Sequence, residues 1–383
     1  MSDNKDRATD HRFKLLYAIA MIQIVSGHCQ DGALDLFYEW IPYMGTHLAI
    51  LIFASGYFYK DASLEEPFKF LWKKTKRLLI PLYIWNLVYG LIVMGLKHFG
   101  FSIGGELTLR NLLLAPLYDG HQFGFNLAGW FVVPLFMAEA AYMFYRLLLK
   151  KLKLYLPETV VFLPPLVIGI LGLQLANMGY HEGWWLMLPR FAYFFAFYAM
   201  GAYYKRAVER YDRLPNIIYF GLIALIQMGM LVIFHRIPIY VISWCNDFPE
   251  GPVVPFITGT LGVAFWLRIC KWLEWGLGKD KVVNAIADNS YSIMIHQFMG
   301  FMAVKTAYAL MAKYTGHFLD FDMAAYKSDL WYYYTPPQLP YYSLIFYLAA
   351  GIALPIGIAV IGKRIKMKIK KDPSDLKHKD LST

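Results

Sequence analysis

The stretch KKTKRLLIPLYIWNLVYGLIVMGLKH, residues 73–98, decides how the chain is read. Its first five positions hold four cations, Lys73, Lys74, Lys76 and Arg77. From Leu78 to Leu96 no charged residue follows. A helix needs about 20 predominantly apolar residues to cross the ~30 Å hydrocarbon core. Cations cluster at the cytoplasmic end of such a span. The stretch therefore reads as a membrane helix anchored at its basic start.

Working outward, nine further runs are similarly apolar, which gives ten expected spans: roughly 12–29, 39–59, 78–98, 126–147, 158–178, 186–204, 215–235, 252–273, 289–312 and 340–362. Most of the 37 Lys and Arg residues fall in alternate gaps: the N-terminus, Lys60 to Arg77, Arg146 to Lys153, Lys205 to Arg213, Arg268 to Lys281, and the tail from Lys363. The stretches alternating with them, 29–38, 99–125, 178–188, 237–251 and 314–338, hold only Arg110 and Lys327. By the positive-inside rule both termini are cytoplasmic. The runs are too long and too continuously apolar for barrel strands. The expected fold is all-α: a single transmembrane bundle over 1–362 and a basic cytoplasmic tail over 363–383, most simply a polybasic membrane anchor.

Composition agrees. Charged residues make up 17%, against about 25% in soluble domains. The formal charge of +10 spreads over the loops of one face, where it meets anionic lipid rather than nucleic acid. The first span lacks a small-x-small cleavage site and reads as a retained helix. Cys29 and Cys245 fall near one face and Cys270 near the other, a set that reads as three isolated thiols rather than a disulfide framework. No metal-ligand spacing is present. The longest outer gaps, near 99–125 and 314–338, are too short for a soluble domain, so chemistry belongs inside the bundle or at its rims.

Ionisable groups at membrane depth are costly and mark candidate sites. They are His28, His47, Glu139, Arg190, His296 and Lys305. For each, a helix-packing hydrogen bond or a snorkelling side chain is the plainer alternative. His28 stands out because an acidic loop follows it (Asp31, Asp35, Glu39). A carboxylate there could hold one ring nitrogen and leave the other as a base. Tyr17 shares its face: eleven residues at ~100° each return to within about 20°, ~16 Å away along the axis. That face could line a passage between the two sides, with Arg12 turned away from it. The Lys73–Arg77 cluster suits either a plain anchor or a grip on the phosphates of a ligand such as coenzyme A.

These residues resemble the acyltransferase-3 family of membrane-bound enzymes that O-acylate envelope polysaccharides. The likeness is an ordered series: AIAMIQIVSGH at 18–28, LIFASGYFYK at 51–60, KKTKRLLIPLYIW at 73–85, Trp130-Phe131, FFAFYAMGAYYK at 194–205, and NSYSIMIHQF at 289–298. The resemblance implies an acyl donor, acetyl-CoA or another acyl-CoA, bound from the cytoplasm as a substrate. It implies a sugar hydroxyl of a polysaccharide or glycolipid as acceptor on the outer side, and envelope glycan assembly proteins as further partners. It makes His28 the catalytic group and maps the family's late histidine to His296. It maps the donor-contacting R-x-x-R pair to Lys74 and Arg77, with Lys73 and Lys76 beside them. Tyr17 stands where the family often has Arg, and Lys14 where an acidic residue is usual. Lys74 keeps the charge of the first Arg but lacks its bidentate fork. The implied location is the bacterial cytoplasmic membrane.

Two outer segments are rich in aromatic residues: Trp184-Trp185, and Trp331 to Tyr334 with Tyr341-Tyr342. They suit an interfacial belt or a platform for sugar rings. A transporter of a small anion or glycan precursor is the competing reading. Transporters gather polar residues and helix breaks at the midplane, whereas here the sharpest clusters sit at the two ends. An assembly partner without chemistry of its own is the third.

Overall fold

The computed structural model describes residues 10–29, 46–246, 248–338 and 343–375, the side chains of 368–375 excepted. The acidic loop after His28, Tyr341-Tyr342 and the last part of the tail, residues 376–383, lie outside the described residues. Among those described there is no strand. The principal helices are α1 His11–Gly27, α2 His47–Tyr57, α3 Pro67–His98, α4 Leu127–Lys151, α5 Glu158–Asn177, α6 Met187–Tyr203, α7 Asn216–Phe234, α8 Val254–Leu277, α9 Lys281–Asp288, α10 Ser290–Thr315 and α11 Leu344–Asp375.

Each expected span contains one of these helices. Six of them (α3, α4, α5, α7, α8 and the Leu344–Met367 part of α11) are long and apolar enough to cross a membrane. Helices α1 and α6 have 17 residues each, and α2 has 11. Helix α10 is long but carries His296, Gln297 and Lys305. Helix α11 runs past residue 362, so the first part of the basic tail continues it. The three cysteines are free and buried.

Helix α3 is not uniform. Thr75–Leu79 forms a π-helical turn, closed by the Ile80 N–H on the Thr75 carbonyl. Pro81 supplies the reason. It has no N–H for the Arg77 carbonyl and its ring crowds that group, so the helix widens one turn earlier. The widened turn carries Lys76 and Arg77.

Helices α1 and α6 organise the bundle. Helix α6 packs on α2, α4 and α5, and α1 packs on α2, α8, α9, α10 and α11. Water gives no hydrophobic drive between helices inside a bilayer, so close backbone approach through small residues has to hold them. The α2–α6 crossing shows this. A Cβ on Gly201 would collide with the Phe53 carbonyl, and one on Gly56 with that of Tyr198. In contrast, α7 leaves Ile217, Leu225, Val232 and Ile233 exposed. Such a face suits lipid.

One end of the bundle is basic and knitted by ion pairs. Arg12 binds Asp10 at 2.7 Å and Glu209 at 2.9 Å, and the Tyr57 hydroxyl donates to Glu209 at 2.8 Å. Arg206 joins Asp61 at 2.9 Å and Glu158 at 3.3 Å, while Arg146 reaches Glu158 at 2.9 Å. Burial raises the Asp61 pKa, but the Arg206 guanidinium outweighs it and holds that carboxyl below the usual range. Lys14 pairs with Asp288, and Arg268 with Asp212.

Gly201→Leu should force α2 and α6 apart, costing at least the ~1–3 kcal/mol of an overpacked core. Gly221→Leu, on the open face of α7 where a Cβ meets nothing within 4 Å, should be neutral. Thermal unfolding in detergent checks this. Equal melting temperatures for the two variants would contradict the crossing.

Candidate active site

Helix α1 ends by presenting His28 at the opposite end of the bundle from the ion pairs. The His28 N–H closes the last turn on the Ile24 carbonyl at 3.2 Å. Its Nδ1 lies 3.1 Å from Oε1 of Gln297 on α10. The Gln297 amide has no freedom to turn round, because its Nε2 donates to the Met294 carbonyl at 3.2 Å. A carbonyl only accepts, so the amide nitrogen must face Met294 and the amide oxygen must face His28. His28 therefore donates through Nδ1–H, and in the neutral ring the lone pair is on Nε2.

The segment after α10 closes over this histidine. The Tyr333 hydroxyl donates to the His28 carbonyl at 2.5 Å. Phe298 and Trp331 flank the His28 ring with centroids at 5.2 and 6.1 Å. Buried Lys305 anchors the segment by donating to the Leu330 carbonyl at 2.6 Å, with its ammonium 4.9 Å from the Tyr333 ring. Of the aromatic run read as a belt or platform, Trp331 and Tyr333 thus have a local task at His28.

His28 lines a pocket with His47, Trp130, Ser243 and Met294. Arg190 braces its wall. This buried guanidinium donates from Nη1 to the Tyr118 and Asp119 carbonyls at 3.2 and 3.0 Å and from Nε to the Ser243 carbonyl at 2.9 Å, and it lies 4.7 Å from the Trp130 ring. It ties the connection before α4 to the one before α8, which no reading of either loop alone could show.

The other expected catalytic residues do not join His28. His296 turns toward α3, where its Nδ1 meets the Tyr89 hydroxyl at 2.6 Å and Trp85 packs on it edge-on at 4.2 Å. Tyr17 faces Ser55 on α2 and lies within electrostatic reach of Arg77 and Glu139. It sits ~16 Å along α1 from His28, on the way to the basic end. Gln297 went unread because its neighbour His296 carried the family likeness. Its only signal was position: an amide one residue beyond a motif histidine. The carboxylate expected on His28 would come from the acidic loop outside the described residues, and Nδ1 is occupied by the Gln297 amide.

At the basic end, Lys74 and Glu139 form an ion pair at 2.5 Å, with the carboxylate almost fully buried. Lys73, Lys76 and Arg77 are exposed, with Lys76 4.9 Å from the Trp72 ring. Lys74 is therefore committed to a partner inside the protein, while its three neighbours face outward. Lys74→Met should strand the Glu139 charge at a cost of ~3–5 kcal/mol, whereas Lys74→Met with Glu139→Leu should recover most of it. Melting temperatures of the single and double variants test this; a double variant no more stable than the single would contradict it.

The family described as an acyltransferase domain, acyltransferase-3, matches residues 10–364. No curated protein and no solved structure matches the chain. The match takes in α1 to α10 and most of α11, including His28 and the basic turn of α3. This chain belongs to the acyltransferase-3 family of membrane proteins.

Proposed function

We propose that the protein is an integral-membrane O-acyltransferase, moving an acyl group, acetyl in the first instance, from acyl-CoA to a sugar hydroxyl of an envelope glycan. The basic end faces the bacterial cytoplasm and receives the donor. The His28 end faces outward and receives the acceptor.

The observation that carries this reading is the Gln297 amide locked onto His28 Nδ1. A sugar hydroxyl is a weak nucleophile at neutral pH. Nε2 of a neutral imidazole takes its proton as the oxygen attacks the thioester carbonyl. The new C–O bond forms, the C–S bond breaks, and coenzyme A leaves as thiolate. The His28 imidazolium then returns the proton to solvent or to that thiolate. Direct transfer needs no covalent intermediate, since one base serves the whole exchange.

The donor's phosphates suit Lys73, Lys76 and Arg77, the exposed cations in and just before the widened turn of α3. Lys74 contributes by neutralising Glu139 beneath them. The acyl-bearing arm then runs inward past Tyr17 toward His28. Tyr17 is a lining residue of this route, and His296, bonded to Tyr89, fixes α10 against α3 so that Gln297 meets His28.

Membrane vesicles supplied with acyl-labelled acetyl-CoA and an envelope glycan extract test the reading. Label should enter glycan with the native protein. His28→Ala should lower transfer by at least ~10²-fold. Gln297→Leu should lower it less, because the base survives without its fixed tautomer. Lys76→Ala with Arg77→Ala should raise the KM for donor while leaving kcat at saturation nearly unchanged. Undiminished transfer by His28→Ala would overturn the mechanism, and no transfer by the native protein would overturn the function.

A further inference from the structure

Besides His28 and His47, which line the pocket, a third imidazole packs behind its wall, and nothing in the mechanism above uses it. His121 lies in the connection between α3 and α4. Its Nδ1 is 2.9 Å from Asp119 Oδ1, and its side chain is more than nine-tenths buried. Its ring stacks on Trp244 at 4.4 Å and lies 6.5 Å from Trp130. Trp130 and Ser243, the neighbour of Trp244, both line the pocket that holds His28.

The unusual atom is Nε2. It is buried and has no hydrogen-bond partner among the described residues. A buried polar nitrogen without a partner is costly. The chemistry of its missing partner follows from the other nitrogen. A carboxylate only accepts, so Asp119 takes a hydrogen bond from Nδ1–H, and Nε2 of the neutral ring carries the lone pair. Burial pushes the His121 pKa below the ordinary histidine value; Asp119 opposes this and the Arg190 charge adds to it. A neutral Nε2 accepts hydrogen bonds and cannot donate them. It therefore suits a hydroxyl and is unsuited to a phosphate, a carboxylate or a carbonyl.

We propose that His121, oriented by Asp119, is an acceptor-binding residue whose Nε2 takes a hydrogen bond from a hydroxyl of the incoming sugar and holds that sugar beside His28. The inference rests on the transferase reading and deepens it by naming a group on the acceptor side. His28 acts on the reacting hydroxyl, and His121 fixes the ring that bears it.

The experiment compares the native protein with His121→Phe, His121→Gln and Asp119→Asn in membrane vesicles, using the envelope glycan extract as acceptor. His121→Phe keeps a flat ring against Trp244 and removes Nε2. Its KM for glycan should rise about tenfold or more, with the KM for acetyl-CoA unchanged. His121→Gln restores an accepting oxygen and should recover part of the loss, a pattern that a purely structural role would not produce. Asp119→Asn should resemble His121→Phe, because the tautomer is no longer fixed.

A second readout needs no catalysis: tryptophan fluorescence during titration of the purified protein with glycan in the absence of donor. The native protein should give a saturable change that weakens tenfold or more in His121→Phe. Unchanged glycan KM and unchanged fluorescence titration in His121→Phe would overturn the proposal, as would a native protein that shows no fluorescence response. Loss of transfer in the native protein with the fluorescence response intact would instead count against the transferase reading alone. Melting temperatures separate misfolding from lost binding. If His121→Phe unfolds, the contrast between His121→Gln and Asp119→Asn decides.

Discussion

A chain that crosses hydrocarbon has no water to satisfy its polar groups, and the rest of this structure follows from that constraint. Backbone groups are satisfied within helices. Polar side chains must then find partners inside the protein or move to the ends. Lys74 meets Glu139, Arg190 meets the carbonyls of two connections, and Lys305 meets the Leu330 carbonyl. Each of these also holds in place a segment that a functional group needs. The same bonds that make burial tolerable position the wall of the pocket and the cover over His28.

In the proposed transferase the two ends of the bundle divide the chemistry. The basic end is rigid where Arg12, Arg146 and Arg206 pair with carboxylates, and it presents outward the cations that the π-helical turn of α3 carries. The opposite end gathers neutral hydrogen-bonding groups and aromatic rings: His28, Gln297, His121, Trp130 and Trp331. A site for an anionic donor and a site for an uncharged sugar have these characters. Helix α1 joins them, with Arg12 at one end and His28 at the other, ~24 Å apart along its axis.

Much of the fold was legible because apolar length and cation spacing are local properties. All ten expected runs contain a helix, and His28 could be singled out by its place at the end of one. The short helices α1, α2 and α6 fall in expected runs as well, although their packing lies against neighbouring helices rather than on a lipid-facing apolar surface. The π-helical turn was readable in principle, since Pro81 stands four residues after Arg77. The site itself was less legible. Gln297 lies 269 residues from His28, and the Tyr333 hydroxyl comes from a stretch whose aromatic content suggested a belt. His121 and Asp119 sit in a loop with no periodic pattern, so only the folded chain reveals that one imidazole nitrogen is held and the other has no partner among the described residues.

The central claim is that an acyl group passes through the bundle from one side of the bilayer to the other. Sealed vesicles with the basic end outward, labelled acetyl-CoA outside and glycan trapped inside, test it most directly. The account predicts label on the trapped glycan while coenzyme A stays outside. Label on glycan only when both substrates share one side would contradict it.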